Sequence, residues 1–140
     1  NLNANEFKFG ERESIYDSAK VLDRYVDLII IRSFEHSILK EFSKHFSKPI
    51  INALTNHSHP CQVLADLVTF KEQFGNFEDR KITWFGDYNN VTQSWIEASC
   101  ILGINFCIAC PQEVHPSKDT INWAKQKNDS FCIRNLENPQ

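Results

Sequence analysis

Hydrophobic positions along the chain alternate between a helical and an extended pattern, and the alternation continues to its end. Ile15, Ala19, Leu22 and Val26 recur at three- and four-residue steps behind Ser14, whose hydroxyl suits an N-cap, so the spacing predicts a helix there. The short apolar run Val26 to Ile31 then reads as a buried strand. Ile38, Phe42, His45 and Phe46 form a second helical stripe, followed by a short strand at Pro49-Ile50-Ile51. Pro60 fits the first turn of a helix that carries Leu64, Leu67, Val68 and Phe74 and stops at Gly75. Ile82 to Phe85 is a third strand, Val91 to Leu102 a helix closed by Gly103, and Ile104 to Cys110 a strand closed by Pro111. A polar helix from Thr120 to Lys127 precedes Phe131-Cys132-Ile133. Short apolar strands separated by helices imply right-handed crossovers, hence an α/β fold with parallel sheet and helices on both faces.

Composition narrows the function classes. Fifteen basic against eighteen acidic residues leave a net charge of −3, so neither a nucleic-acid partner nor a polybasic membrane surface is expected, and any anion site must be local. The opening stretch Asn1 to Phe9 is polar and lacks a signal-peptide pattern, and Cys100 to Cys110 is far shorter than the ~18 residues of a membrane span, which makes a cytoplasmic location the expectation. Five cysteines, four in apolar settings, read as reduced core residues without a disulfide framework. Cys107 and Cys110 form C-x-x-C, but no second ligand pair accompanies them, so no metal is expected. The chain has no methionine and opens Asn1-Leu2-Asn3, as expected of a slice or a processed product.

In parallel α/β sheets ligands bind beyond the carboxyl ends of the strands, which directs attention to the segments after them. Arg32 ends the first strand, where its planar fork suits a phosphate or carboxylate; a salt bridge to Glu35 is the equally weighted alternative. His59 stands before Pro60 at the start of a helix whose free amides attract anions, and it could polarise a carbonyl oxygen, with Gln62 holding the same ligand from the first turn. By itself a His-Pro pair is better explained as a helix-capping loop. Gly86-Asp87-Tyr88-Asn89-Asn90 has a single glycine where a dinucleotide fingerprint needs three, so no nicotinamide or flavin cofactor is expected. Its two asparagines suit an amino-acid backbone or, more simply, a turn and an N-cap. No nucleophile-elbow or zinc-protease motif occurs.

Taken together, Arg32-Ser33-Phe34-Glu35-His36, Asn52-Ala53-Leu54-Thr55, His59-Pro60-Cys61-Gln62 and Gly86-Asp87 with Asn89-Asn90 resemble the ornithine carbamoyltransferases in order and spacing over nearly the whole chain. The H-P-C-Q form is typical of that branch, whereas the aspartate branch carries H-P-T-Q. The resemblance implies parts of two Rossmann-like domains: residues 1–59 from the carbamoyl-phosphate domain, a joining helix over 60–75, and residues 76–140 from the ornithine domain. It implies that Arg32, His59 and Gln62 hold carbamoyl phosphate, with His59 and Arg32 catalytic at its carbonyl oxygen, and that Leu54 and Asn90 bind ornithine. The implied reaction gives citrulline and phosphate in arginine metabolism without cofactor or metal, in a homotrimer or a multiple of trimers. The family's S-T-R-T-R, D-x-x-x-S-M-G and H-C-L-P segments are absent, so the 140 residues alone are not expected to catalyse. Ala53 and Tyr88 stand where glycine is usual and Asn56 where aspartate is common. Another acceptor (aspartate, putrescine or acetylornithine) and a non-catalytic binding or assembly remnant are the alternatives.

Overall fold

The computed structural model describes residues 13–135; the polar stretch Asn1 to Phe9 lies outside them. The chain forms two compact units, Asn1–Asn56 and His57–Gln140.

In the first unit the described elements are α1 (Ile15–Leu22), β1 (Ile29–Arg32), α2 (His36–His45) and β2 (Ile50–Leu54). Ser14 caps α1, its hydroxyl accepting from the Asp17 amide at 3.0 Å. The helix ends four residues before Val26. There the chain turns through bonds from the Arg24, Tyr25 and Val26 amides, and the Asp23 carboxylate is taken by the amide and hydroxyl of Ser47, each at 2.9 Å. Val26 fits the helical spacing yet packs on the core from this turn, because burial rather than helicity placed an apolar residue there. The strands β1 and β2 are parallel neighbours. Ala19, Ile31, Phe42 and Phe46 form the core on one face of the pair, while Ile30 and Ile51, adjacent in register, lie exposed on the other.

The second unit holds α3 (Pro60–Phe74), β3 (Lys81–Phe85), α4 (Asn90–Leu102), β4 (Asn105–Cys110), a 3₁₀ turn (Gln112–Val114), α5 (Lys118–Lys127) and β5 (Cys132–Asn135). Its sheet is parallel throughout, in the order β3-β4-β5. The central strand β4 is buried from Phe106 to Cys110, which explains its unbroken apolar run. Phe106 and Ile108 pack with Trp95 and Ile96 of α4 and with Val63 and Leu67 of α3, so α3 shares the core of this unit. Gly103 closes α4 at φ 67°, a left-handed conformation that few side chains tolerate.

One cysteine expectation is corrected. Cys107 and Cys132 are register neighbours on β4 and β5, with Cα atoms 4.5 Å apart, and are joined as a disulfide; Cys61, Cys100 and Cys110 are free. Their separation of 25 residues hides an adjacency that only the α5 crossover creates.

Candidate active site

The first unit contributes the carboxyl ends of β1 and β2. Pairing runs Ile31 to Asn52 and then Arg32 to Leu54, so β2 carries one extra residue, Ala53, at a bulge. This places Arg32 and Leu54, expected to serve different substrates, side by side at the end of the strand pair. Ala53 is not among the residues with positive φ, so its methyl group meets no left-handed penalty there. Beyond the strands the two loops are tied together. The Ser33 amide donates to the Leu54 carbonyl at 3.1 Å and the Asn56 amide to the Phe34 carbonyl at 2.8 Å. The Asn56 side chain in turn accepts from the His36 amide at 3.3 Å, and the His36 ring meets the buried Thr55 hydroxyl at 3.0 Å. Arg32 itself is exposed, and among the described residues it forms no ion pair with Glu35 or any other acid. A planar guanidinium suits a phosphate or carboxylate.

In the second unit His59 is the N-cap of α3, directly before Pro60, with backbone angles of −135° and 68° and no side-chain cap bond. Its Nδ1 is buried without a hydrogen-bond partner. Gln62 is exposed one turn along. The first turn of α3 carries no acidic residue, so nothing there opposes an anion drawn by the amides and the helix dipole. Asn90 opens α4. Asn89 caps that helix, its Oδ1 accepting from the Val91 and Thr92 amides at 2.9 and 3.1 Å, while the Thr92 hydroxyl accepts from the Asn89 amide. Of the two asparagines, then, the cap is Asn89, and Asn90 begins the helix proper.

The amino ends of α3 and α4 are brought together by Ser94. Its hydroxyl accepts from the His59 amide at 2.8 Å and donates to the Asn90 carbonyl at 3.1 Å. Sequence reasoning missed this residue: Thr92, Gln93 and Ser94 are consecutive buried polar positions, a pattern that helical periodicity does not flag. It also missed a polar chain beside the asparagines, in which the Tyr88 hydroxyl donates to Gln93 at 2.6 Å and Gln93 to Glu97 at 2.8 Å. Burial pushes the Tyr88 phenol above its ordinary value, and a bond to Thr120 partly offsets this. Gln93, Glu97, Asp119, Thr120 and Trp123 line a cleft of about 480 Å³ between α4 and α5.

Arg32 and Leu54 therefore meet in one unit, while His59, Gln62 and Asn90 belong to the other.

The chain as a whole matches known proteins. Residues 1–72 match the model of the aspartate/ornithine carbamoyltransferase carbamoyl-P binding domain, and residues 78–136 that of the Asp/Orn binding domain. The chain is 44% identical over 132 residues to an ornithine carbamoyltransferase of Nitrobacter winogradskyi, covering 94% of this chain and 43% of that protein. A Cereibacter sphaeroides ornithine carbamoyltransferase is 42% identical over the same shares. Among solved structures, the ornithine carbamoyltransferase from Pyrococcus furiosus superposes with a TM-score of 0.89 at 37% identity, over 96% of this chain and 44% of that one. The Thermus thermophilus enzyme gives 0.82 at 34% identity, over 95% and 45%. The chain thus spans less than half the length of the relatives it matches. With both domain models matched in order over nearly its whole length, the chain belongs to the aspartate/ornithine carbamoyltransferase family.

Proposed function

We propose that the protein carrying this chain is an ornithine carbamoyltransferase, which moves the carbamoyl group of carbamoyl phosphate to the side-chain amine of L-ornithine and releases L-citrulline and phosphate. The observation that carries this reading is the meeting of two expected substrate residues, one per substrate, on a single hydroxyl: the amide of His59 and the carbonyl of Asn90 both bond to Ser94. The relatives' printed names support ornithine as acceptor.

In this reading Arg32, His59 and Gln62 hold carbamoyl phosphate, and Leu54 and Asn90 hold ornithine. The ornithine amine attacks the carbonyl carbon, Arg32 and His59 stabilise the tetrahedral oxyanion, and the bond to phosphate breaks without a covalent enzyme intermediate. A charged guanidinium and an imidazole at a helix amino end suit that developing negative charge. Residues 1–59 then serve the phosphate-bearing substrate and 76–140 the amino acid, joined by the helix over 60–75. The core that α3 shares with β4 supports grouping that helix with the ornithine side, while the match to the carbamoyl-P binding domain runs on to residue 72. The complete protein is read as a cytoplasmic homotrimer, or a multiple of trimers, of arginine metabolism. The 140 residues alone, lacking the segments named above, are read as inactive.

The test is a colorimetric citrulline assay on the full-length protein with carbamoyl phosphate and, in parallel, ornithine, aspartate, putrescine or acetylornithine. Citrulline from ornithine at a rate well above the other acceptors is expected. No product, or a preference for another amine, defeats the proposal.

A further inference from the structure

We propose that Ser94 is a positioning residue for carbamoyl transfer, its hydroxyl fixing His59 against the turn that presents Asn90. The inference rests on the ornithine carbamoyltransferase reading and adds to it a residue that contacts neither substrate.

The need for such a tether comes from the chain around His59. Pro60 has no amide hydrogen and a nearly fixed φ, so α3 begins rigidly and the His59 amide is the last backbone donor before it. His59 itself is not helical. Its orientation relative to α3 depends on two soft backbone angles. The ring does not fix itself either, since Nδ1 is buried without a partner. The residue is held by the bond from its amide to Ser94 Oγ at 2.8 Å, made across 35 positions of sequence.

The other half of the tether is equally specific. Ser94 is 3% exposed, so its hydroxyl exchanges little with water and its two bonds define where it points. It donates to the Asn90 carbonyl one helical turn back, at 3.1 Å. A serine in a helix commonly bonds to the carbonyl four residues earlier, and that bond alone would be a local matter. Accepting from the N-cap of another helix at the same time turns it into a joint between α3 and α4. A hydroxyl can do both because it has one donor and two acceptor sites. A shift of His59 by a fraction of an ångström would then be transmitted to the oxyanion donor, where placement matters most.

The experiment uses the full-length protein with Ser94→Ala and Ser94→Thr, read by citrulline kinetics and by hydrogen exchange at the His59 amide. Ser94→Ala is expected to lower kcat about 10- to 100-fold while the KM for carbamoyl phosphate moves less than about threefold, because a misplaced oxyanion donor costs more in the transition state than in the ground state. Ser94→Thr, which keeps the hydroxyl, is expected to recover most of kcat, and exchange at His59 should accelerate in the alanine variant alone. A merely structural serine would lower the melting temperature without this split between kcat and KM. A kcat for Ser94→Ala within twofold of wild type overturns the proposal, as does a threonine variant that keeps the His59 amide protected yet stays as slow as alanine. If the wild type forms no citrulline, the ornithine reading fails and the catalytic role of Ser94 with it. Exchange at His59 then judges the tether, and an unchanged rate in Ser94→Ala removes that too.

Discussion

Asn128 offers a sharp test of the forces that hold the second unit together. Its amide nitrogen donates to the carbonyls of Ser99 and Ile104 at 2.9 and 2.8 Å, and its oxygen accepts from the Ser130 amide at 3.0 Å. The side chain, 7% exposed, therefore joins the carboxyl end of α4 and the approach to β4 to the turn after α5. Ser99 also receives the Gly103 and Ile104 amides, so removing Asn128 strands that carbonyl least. At about 1 kcal/mol net per bond, with an added cost for buried groups left unpaired, Asn128→Ala should destabilise the unit by about 2–4 kcal/mol. Asn128→Asp keeps the shape and the bond from Ser130 but turns a carboxylate towards two carbonyl oxygens, so it should cost more than alanine. The assay is urea unfolding followed by tryptophan fluorescence. Trp84, Trp95 and Trp123 all lie in the second unit, so the signal reports that unit, and an unchanged m-value licenses the comparison. A loss under about 0.5 kcal/mol for alanine, the size of an ordinary surface change, would refute the reasoning, as would an aspartate variant as stable as wild type.

Other perturbations concern the site and its charged surroundings. His59→Ala in the full-length protein should lower kcat by about 10²–10³, the effect of losing one oxyanion donor, with a smaller change in KM; unaltered citrulline kinetics would remove His59 from the reaction. The amide and then the hydroxyl of Ser47 hold the Asp23 carboxyl below its ordinary value of 3.8, so the folded state binds that proton less readily than the unfolded one. This contribution is present above the ordinary value and is lost as pH falls through the lower folded value. Asp23→Asn should accordingly flatten the acid limb of the stability profile, as measured by melting temperature from pH 7 down to 3. For Tyr88 the sign is reversed. Burial raises its phenol, so its contribution is complete below pH 10 and fades as pH rises through the folded value; Tyr88→Phe should reduce the alkaline loss, read by the same melts carried above pH 10.

The elements most legible in the sequence are those with chemical punctuation. Pro60 and Gly75 bracket α3 to the residue, and Gly103 ends α4, because each residue type has few alternative backbone uses. β4 is readable from its apolar run, since both of its faces are buried. β2 extends past Ile51 through Asn52 to Leu54, where polarity suggests a loop: main-chain pairing with β1 does not depend on side-chain character. The 3₁₀ turn at Gln112–Val114 carries no periodic signal. For the site, residue types at strand ends and a helix start make Arg32, His59 and Gln62 candidates, because anion chemistry draws on few side chains, but only the family resemblance raises them above a salt bridge or a capping loop. Ser94 and Asn128 stay hidden because a serine or asparagine acquires its role from a partner tens of residues away, and no local pattern reports that partner.

The bulge at Ala53 means that the pairing of Arg32 with Leu54 depends on a residue count as well as on residue identity. Deleting Ala53 would leave Leu54 opposite Arg32 in a regular ladder, whereas losing the bulge at unchanged length would set Ala53 in that place, because an unbulged strand advances one residue per position. In the second case a methyl group would replace the leucine side chain next to the guanidinium with no substitution at either position. In this corner of the fold the arginine's neighbour is set by the bulge as much as by residue type, and a relative whose β2 pairs without a bulge at the same length presents a different neighbour to its arginine.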